Sequence, residues 1–338
     1  MLSLFHFDSG ELKGLPVPLE VALVCSGWKG SIGRFFLLNR FVSKMAGLVF
    51  YSKAMSRFLY FSGIAKAMNA QLSETYGKYN YDNLNSAFIH QYERDIYPAG
   101  DASQADKEKF ISSPADSYLS IRDIAGDTVE FLPGVFLNVP KMIGTNDNEL
   151  YLNGKLFVFT LKPHHGHTVD FPVSSRILSG PREYNKKRLF VGSTDLEFIR
   201  HSRSHKKAVL DENHRVVTIL EAAAFREKYV FLEIGANIVN SIEQDFGPNV
   251  AIHPRGSQKS HFNFGSTVAM VLPGSFMEKV NIISEIHWNS TGDKVCEVKR
   301  GTALFYSREI KSGEFQVSDG TAMEVWSGGE KIRRRVVE

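Results

Sequence analysis

The chain has 338 residues, 43% of them apolar, and 40 basic against 37 acidic side chains give a net charge of +3. That length suits one large domain or two ordinary ones, and the apolar content excludes a disordered chain. The near balance of charge points to no nucleic-acid partner and leaves electrostatic recognition to local clusters. Cys25 and Cys296 are the two cysteines, far apart and in no ligand-like spacing. This excludes a disulfide framework or structural zinc site and fits a reducing, cytoplasmic compartment.

The opening "MLSLFHFDSG" lacks the basic and long apolar regions of a secretory signal. No run reaches about 18 uninterrupted apolar residues, so no transmembrane helix is expected. Between Glu20 and Glu74 there is no acidic residue, while Lys29, Arg34, Arg40, Lys44, Lys53, Arg57 and Lys66 are interleaved with Trp28, Phe35, Phe36, Phe41, Phe50, Tyr51, Phe58, Tyr60 and Phe61. This pattern predicts amphipathic helices lying in an anionic lipid interface, peripheral to the membrane. The alternative is a helical hairpin packed on the core with its bases merely solvated.

A further helix is predicted over "DNLNSAFIHQYERDI", with Asp82 as N-cap and Pro98 closing it, followed by a polar loop, "DASQADKEKF". From about residue 111 the texture becomes β-rich: "VEFLPGVFLNV", "KLFVFTL", "KRLFVGS", "HRVVTIL", "KYVFLEIGANIV", "FNFGSTVAMVL" and "KRGTALFY". The expected class is α+β, with an N-terminal helical segment over 1–100 and a core of mostly antiparallel strands over 101–338. The tail "GGEKIRRRVVE" reads as a solvated end.

Three stretches could carry chemistry. In "HFNFGSTVAMVLP", Gly265-Ser266-Thr267 interrupts a strand-like run, which marks either a turn or bulge or a backbone that cuts itself. Self-cutting needs a hydroxyl to attack the preceding carbonyl, a flexible residue there and a nearby base, and Ser266 and Gly265 supply the first two. In "FTLKPHHGHTVDFPV", His164, His165, His167 and Asp170 fall between Pro163 and Pro172. An extended backbone would put His165 and His167 on one face, and His164 and Asp170 on the other. That cluster reads as a satisfied polar group, or as a His-x-His metal pair without a clear further ligand. In "ISSPADSYLS", Asp116 follows Pro114 in a predicted turn, where an Asp ordinarily caps its own backbone.

Taken in order, these segments resemble the phosphatidylserine decarboxylase family of pyruvoyl-dependent enzymes. "FNFGSTV" is similar to the family's self-cleavage motif, "SSPAD" to its Ser-Pro-x-Asp-Gly segment, and "LKPHHGHTVDFP" to its Pro-x-Asp-Tyr-His-x-x-His-x-Pro segment. "ENHRVVTILEAAAFREKYVFLEIGANIVNSI" resembles the stretch ending in Val-Gly-Ala-x-x-Val-Gly-Ser-Ile, and "NLNSAFIHQYERDIYP" the helix before the catalytic core. The likeness runs from about residue 35 to 310.

The resemblance implies cleavage between Gly265 and Ser266 into a β chain (1–265) and an α chain (266–338). Ser266 would become a covalent pyruvoyl group that decarboxylates phosphatidylserine to phosphatidylethanolamine through a Schiff base, with no external cofactor and no metal. Asp116 would orient the base, and His167 falls on the first histidine of the family's pair and is the candidate acid. This sequence has Asp170 in place of the second histidine, Gly166 in place of the tyrosine, His165 in place of the aspartate and Ser117 in place of the glycine. Asp116 and Asp170 held together would share a proton and raise one pKa; alternatively His165 or His167 is the base. The expected partners are a phospholipid substrate, an anionic membrane surface and a second copy of the chain. A decarboxylase of soluble amino acids and an unprocessed lipid- or partner-binding relative are the rival functions.

Overall fold

The computed structural model describes residues 107–132, 135–161, 165–185, 210, 213–235, 241–247, 250–263, 266–283 and 295–309. It also describes residues 4–5, 12–13, 52–54, 83, 85–86, 89, 325–327 and 330–332. Apart from residues 53–54, which are helical, the amphipathic helices expected before residue 80 lie outside the described residues, as do the strand expected at "KRLFVGS" and Gly265. In the next predicted helix the expected cap, Asp82, lies outside the described residues; Asn83 Oδ1 accepts from the Ser86 amide at 2.8 Å, and the Ile89 amide bonds the Asn85 carbonyl.

Near the N-terminus β1 (Leu4–Phe5) pairs with β2 (Leu12–Lys13). The core begins with β3 (Phe110–Ser112), β4 (Ser117–Ala125) and the hairpin of β5 (Thr128–Leu132) and β6 (Val135–Asn138). Helix α1 (Val139–Ile143) precedes β7 (Lys155–Leu161), β8 (Thr168–Asp170) and β9 (Ser175–Tyr184). Next come β10 (Arg215–Ala222), β11 (Glu227–Gly235), β12 (Ser241–Gln244), β13 (Gln258–Asn263) and β14 (Ser266–Leu272). After helix α2 (Gly274–Met277) follow β15 (Val280–Ile282), β16 (Val295–Val298), β17 (Ala303–Ser307), β18 (Val325–Ser327) and β19 (Glu330–Ile332).

The large sheet runs β19-β18-β16-β4-β7-β14-β11-β10-β9, with β5 and β6 branching from β4; β12-β13-β8 and β15-β17-β3 form two smaller sheets. Every described pairing between named strands is antiparallel, as the sequence predicts.

The central strands are buried on both faces, so they read as near-continuous apolar runs rather than as alternating ones. Successive side chains feed different cores. Leu119, Ile121, Phe157, Phe159, Phe231, Val268 and Met270 join Phe171, Phe262 and Phe305 from the two small sheets. Leu156, Val158, Val230, Leu232, Ala269 and Val271 join Leu137, Val139 and Met142 from β6 and α1. Helix α1 can pack there because it is closed at both ends: Asn138 caps the Lys141 amide, and Gly144 ends it with φ 74°, a left-handed conformation that Gly adopts cheaply. Truncating either of the fully buried Phe157 and Phe159 to Ala would cost about 3–5 kcal/mol.

Three elements depart from the sequence reading. The supposed turn after Pro114 leads directly into β4, a nine-residue strand that sequence patterning missed, and β9 was missed in the same way. The tail carries strand structure the sequence reading did not expect, since β18 and β19 pair with each other and extend the large sheet through β16.

Candidate active site

Strand register brings distant segments to one end of the large sheet. Ser266, the first residue of β14, is paired with Leu161, the last of β7, and with Gly235, the last of β11. On the other side of β7, Tyr118 pairs with Thr160, and Ser117 at the start of β4 pairs with Val298 at the end of β16. Strands lie about 4.8 Å apart, so the start of β4 is about two strand spacings from residue 266. Asp116, the His165–Asp170 segment, Arg300 and residue 266 therefore all leave the sheet at this end.

The loop carrying Asp116 is clasped by the β16–β17 turn. Ser113 donates its amide to the Thr302 carbonyl at 2.7 Å and accepts from the Gly301 amide at 2.9 Å. The Arg300 amide donates to Asp116 Oδ1 at 2.8 Å. The Asp170 amide bonds the Pro114 carbonyl at 2.9 Å, which holds β8 against the same loop. Arg300 completes the cluster with its side chain, placing Nε 3.3 Å from Asp170 Oδ2.

Asp170 and Asp116 are both buried, at 7% and 6% exposure. Burial pushes the Asp170 carboxyl up to about 6; the Arg300 guanidinium opposes that rise and the neighbouring Asp116 carboxylate adds to it. The effect of two carboxylates held together thus falls on Asp170, with desolvation as the larger cause.

The histidines do not form the extended pair that alternation suggested. Residues 165–167 are irregular, and the strand begins only at Thr168. His165 is buried beside the Tyr118 ring, 5.2 Å between centroids, with Nε2 3.4 Å from Glu297 Oε1. His167 is fully buried, and its Nδ1 lies 2.8 Å from the His165 carbonyl. A carbonyl can only accept, so Nδ1 carries the hydrogen and Nε2 is the basic nitrogen of the neutral ring. Among the described residues no three His, Cys, Asp or Glu side chains gather as metal ligands, so the His-x-His reading lacks a third donor there.

Sequence reasoning missed Arg300 and Glu297, which lie far from the motif segments they touch. It also missed a second buried network next to the site. Lys259 on β13 donates to Glu233 Oε1 on β11 at 2.5 Å and to Gln244 Oε1 on β12 at 2.9 Å, and both charged side chains are fully buried. Burial holds the Lys259 ammonium below its usual pKa, while Glu233 opposes that fall. Glu233 lies opposite Val268, one alternate position along β14 from Ser266, and therefore on the same face of the sheet. A lone acid inside "YVFLEIGANIV" was the available signal.

The family model for phosphatidylserine decarboxylase matches residues 84–297, well over half of the chain. A phosphatidylserine decarboxylase proenzyme of Geobacillus kaustophilus (strain HTA426) is 26% identical over 208 residues, covering 61% of this chain and 72% of the relative. One from Geobacillus sp. (strain WCH70) is 25% identical, covering 59% of this chain and 71% of the relative. One from Chlamydia pneumoniae is 27% identical, covering 55% of this chain and 59% of the relative. The matched region contains β4, β7, β8, β11 and the start of β14, the strands whose register assembles the polar sheet end, and this chain belongs to the phosphatidylserine decarboxylase family.

Proposed function

We propose that this chain matures by cutting itself between Gly265 and Ser266, and that Asp170, with Asp116 beside it, is the base that starts the cut. The family's enzymes are pyruvoyl-dependent decarboxylases formed from a proenzyme, and this chain is a phosphatidylserine decarboxylase that releases carbon dioxide to leave phosphatidylethanolamine. The observation that carries the residue assignment is the carboxylate pair at the sheet end where β14 begins at Ser266.

Ser266 Oγ loses its proton to Asp170 and attacks the Gly265 carbonyl carbon. The Gly265–Ser266 amide bond breaks, an ester bond forms, and the amine of residue 266 is freed. Loss of the Cα proton then expels the Gly265 carboxylate, and water displaces ammonia to leave a pyruvoyl group on the chain 266–338. A carboxyl with a pKa near 6 is matched to this task because it is largely ionised at neutral pH yet basic enough to take a proton. Gly235, directly opposite residue 266, has no side chain to fill the space a reacting group needs, so the site fits the group.

When formed, the pyruvoyl supplies an electrophilic carbonyl and an electron sink for carbon dioxide loss. His167 is proposed to take up a proton from water at its basic Nε2 and pass it to the substrate carbon, its ring fixed through the Nδ1 contact to the His165 carbonyl. His165 is in turn held by Glu297 and Tyr118. The basic, aromatic stretch from Trp28 to Lys66 is proposed to meet the anionic surface that carries the lipid, as a peripheral contact. No helix among the described residues is long and apolar enough to cross a membrane.

Intact-mass measurement and denaturing electrophoresis test the proposal. Two chains matching residues 1–265 and 266–338, the second carrying a pyruvoyl terminus, are expected, and Ser266→Ala should give one uncut chain. Wild-type protein that stays in one piece would overturn it. Borohydride trapping in the presence of phosphatidylserine vesicles, against free serine, then checks the lipid substrate.

A further inference from the structure

Residue 300 lies just beyond the family-matched region, yet its backbone and its side chain each hold one of the two carboxylates. We infer that Arg300 is a positioning residue for self-cleavage, binding Asp116 through its amide and Asp170 through its guanidinium so that the two acids act as one proton-accepting unit. The inference rests on the assignment of Asp170 as the base for Ser266.

Each contact has a separate structural cause. Gly301, with φ 85°, takes the left-handed conformation that reverses the chain after Arg300, and the Thr302 amide closes the turn on the Lys299 carbonyl at 3.0 Å. The reversal aims the Arg300 amide at Asp116. The side chain, only 14% exposed, reaches across to the Asp170 side chain, which is 10% exposed. Two acids buried side by side repel each other, and a guanidinium against one of them lowers the cost of keeping that one ionised. A backbone donor on Asp116 persists whatever side chain stands at 300, so the residue's two functions separate under mutation.

Among the described residues, the charged groups bearing on Asp170 are few. Arg300 comes from the β16–β17 turn and Asp116 from the β3–β4 loop. Strand β13 places neutral Gln258 opposite Asp170, and its next residue, Lys259, is engaged with Glu233. From the segment before β8, His167 directs Nδ1 to a carbonyl, and His165 faces Glu297. Among the described residues, Arg300 is therefore the cation whose removal should most affect Asp170.

The test follows self-cleavage of freshly made full-length chain as a function of pH. Wild type should show an acid limb near pH 6. In Arg300→Gln that limb should move up by about one unit or more, since an opposite charge at this range shifts a carboxyl by one to three units. Cleavage should then be about fivefold slower at pH 6, with the rate recovered near pH 9. Arg300→Lys, which restores a cation, should return the limb most of the way. Melting curves identify a variant that merely fails to fold, in which case Arg300→Lys against wild type still carries the comparison. A uniform slowing at every pH, or no change, would overturn the inference while leaving the Asp170 assignment standing. If wild type cleaves but Asp170→Asn cleaves equally well, that assignment fails and the inference with it.

Discussion

Two buried charged groups flank the start of β14, and they differ in balance and in access. At Asp116, Asp170 and Arg300 two acids share one base, and the side chains keep 10–14% exposure where Asp170 meets Arg300. At Glu233, Lys259 and Gln244 one acid meets one base and an amide, both charges are at 0% exposure, and Lys259 Nζ lies 5.1 Å from the centroid of Phe231 and 5.6 Å from that of Phe246. The first has a surplus carboxylate and keeps some contact with solvent, which suits a base. The second is neutral overall and sealed, which suits it to fixing where β11, β12 and β13 stand. Lys259 is in β13, the strand that runs toward Gly265. The pair thus ties the last stretch before the proposed cut to the sheet that holds the first residue after it.

The sharpest way to break this contrast is to unbalance the sealed pair. Lys259→Met leaves Glu233 buried without its cation, and removal of one partner from such a pair costs about 3–5 kcal/mol. Glu233 already has one carboxylate oxygen, Oε2, with no hydrogen-bond partner among the described residues, so little remains there to compensate. Replacing both residues, Lys259→Met with Glu233→Leu, should recover most of the loss, because well-packed apolar side chains do as well as a buried pair. Urea unfolding of an uncut Ser266→Ala background measures both. A single mutant as stable as the parent would mean that the network does not fix these strands.

The carboxylate pair should respond in the opposite sense. The Asp170 carboxyl is raised from 3.8 to about 6, so the folded chain binds that proton more tightly than the unfolded one. Its contribution to stability is fully present below about pH 4 and is lost as the pH rises through 6. Asp170→Asn, which carries no charge to desolvate, should be more stable than its parent at pH 8 by about 3 kcal/mol, and the difference should vanish near pH 4. A base kept ionised in a buried site costs stability that its neutral analogue does not. Melting temperatures across that range, again in the uncut background, would show the crossing; parallel curves would mean that Asp170 is not strained by burial.

What could be seen in the sequence follows the range of the interactions. Asp116, His167, Asp170 and Ser266 each sit in a short segment that resembles a family motif, although each segment alone reads equally well as a turn or a satisfied polar cluster. The strands "KLFVFTL" and "KYVFLEIG" announce themselves because both faces are apolar. β4 did not, since Ser117, Ser120 and Arg122 look like surface residues, yet all three are buried. Arg122 is tolerated there because its Nη1 donates to the neighbouring Ile121 carbonyl and its Nε to that of Phe131, the second a contact that exists only once β5 folds back on β4. Arg300 was hidden for a similar reason. "KRGT" is ordinary turn chemistry, and its link to Asp116 spans 184 positions of sequence. Nothing in a local pattern reports a contact that only strand order creates.

The finest discrimination between the two groups comes from Gln244, which touches the sealed pair but not the proton-accepting one. Its Oε1 accepts from Lys259 and its Nε2 donates to Glu233 Oε1 at 3.2 Å, at the half-buried rim of β12. Gln244→Leu removes both bonds but leaves the Lys259–Glu233 contact, and at this rim water can replace part of what is lost, so the cost should be about 1 kcal/mol. Because β13 keeps its ionic tie to β11, the acid limb of self-cleavage should stay where it is in wild type, even though the fold is weaker. That separation between stability and pH response is what two independent networks require. A limb displaced by Gln244→Leu would show that the field around Lys259 reaches Asp170, and the balanced pair would then belong to the cleavage machinery itself.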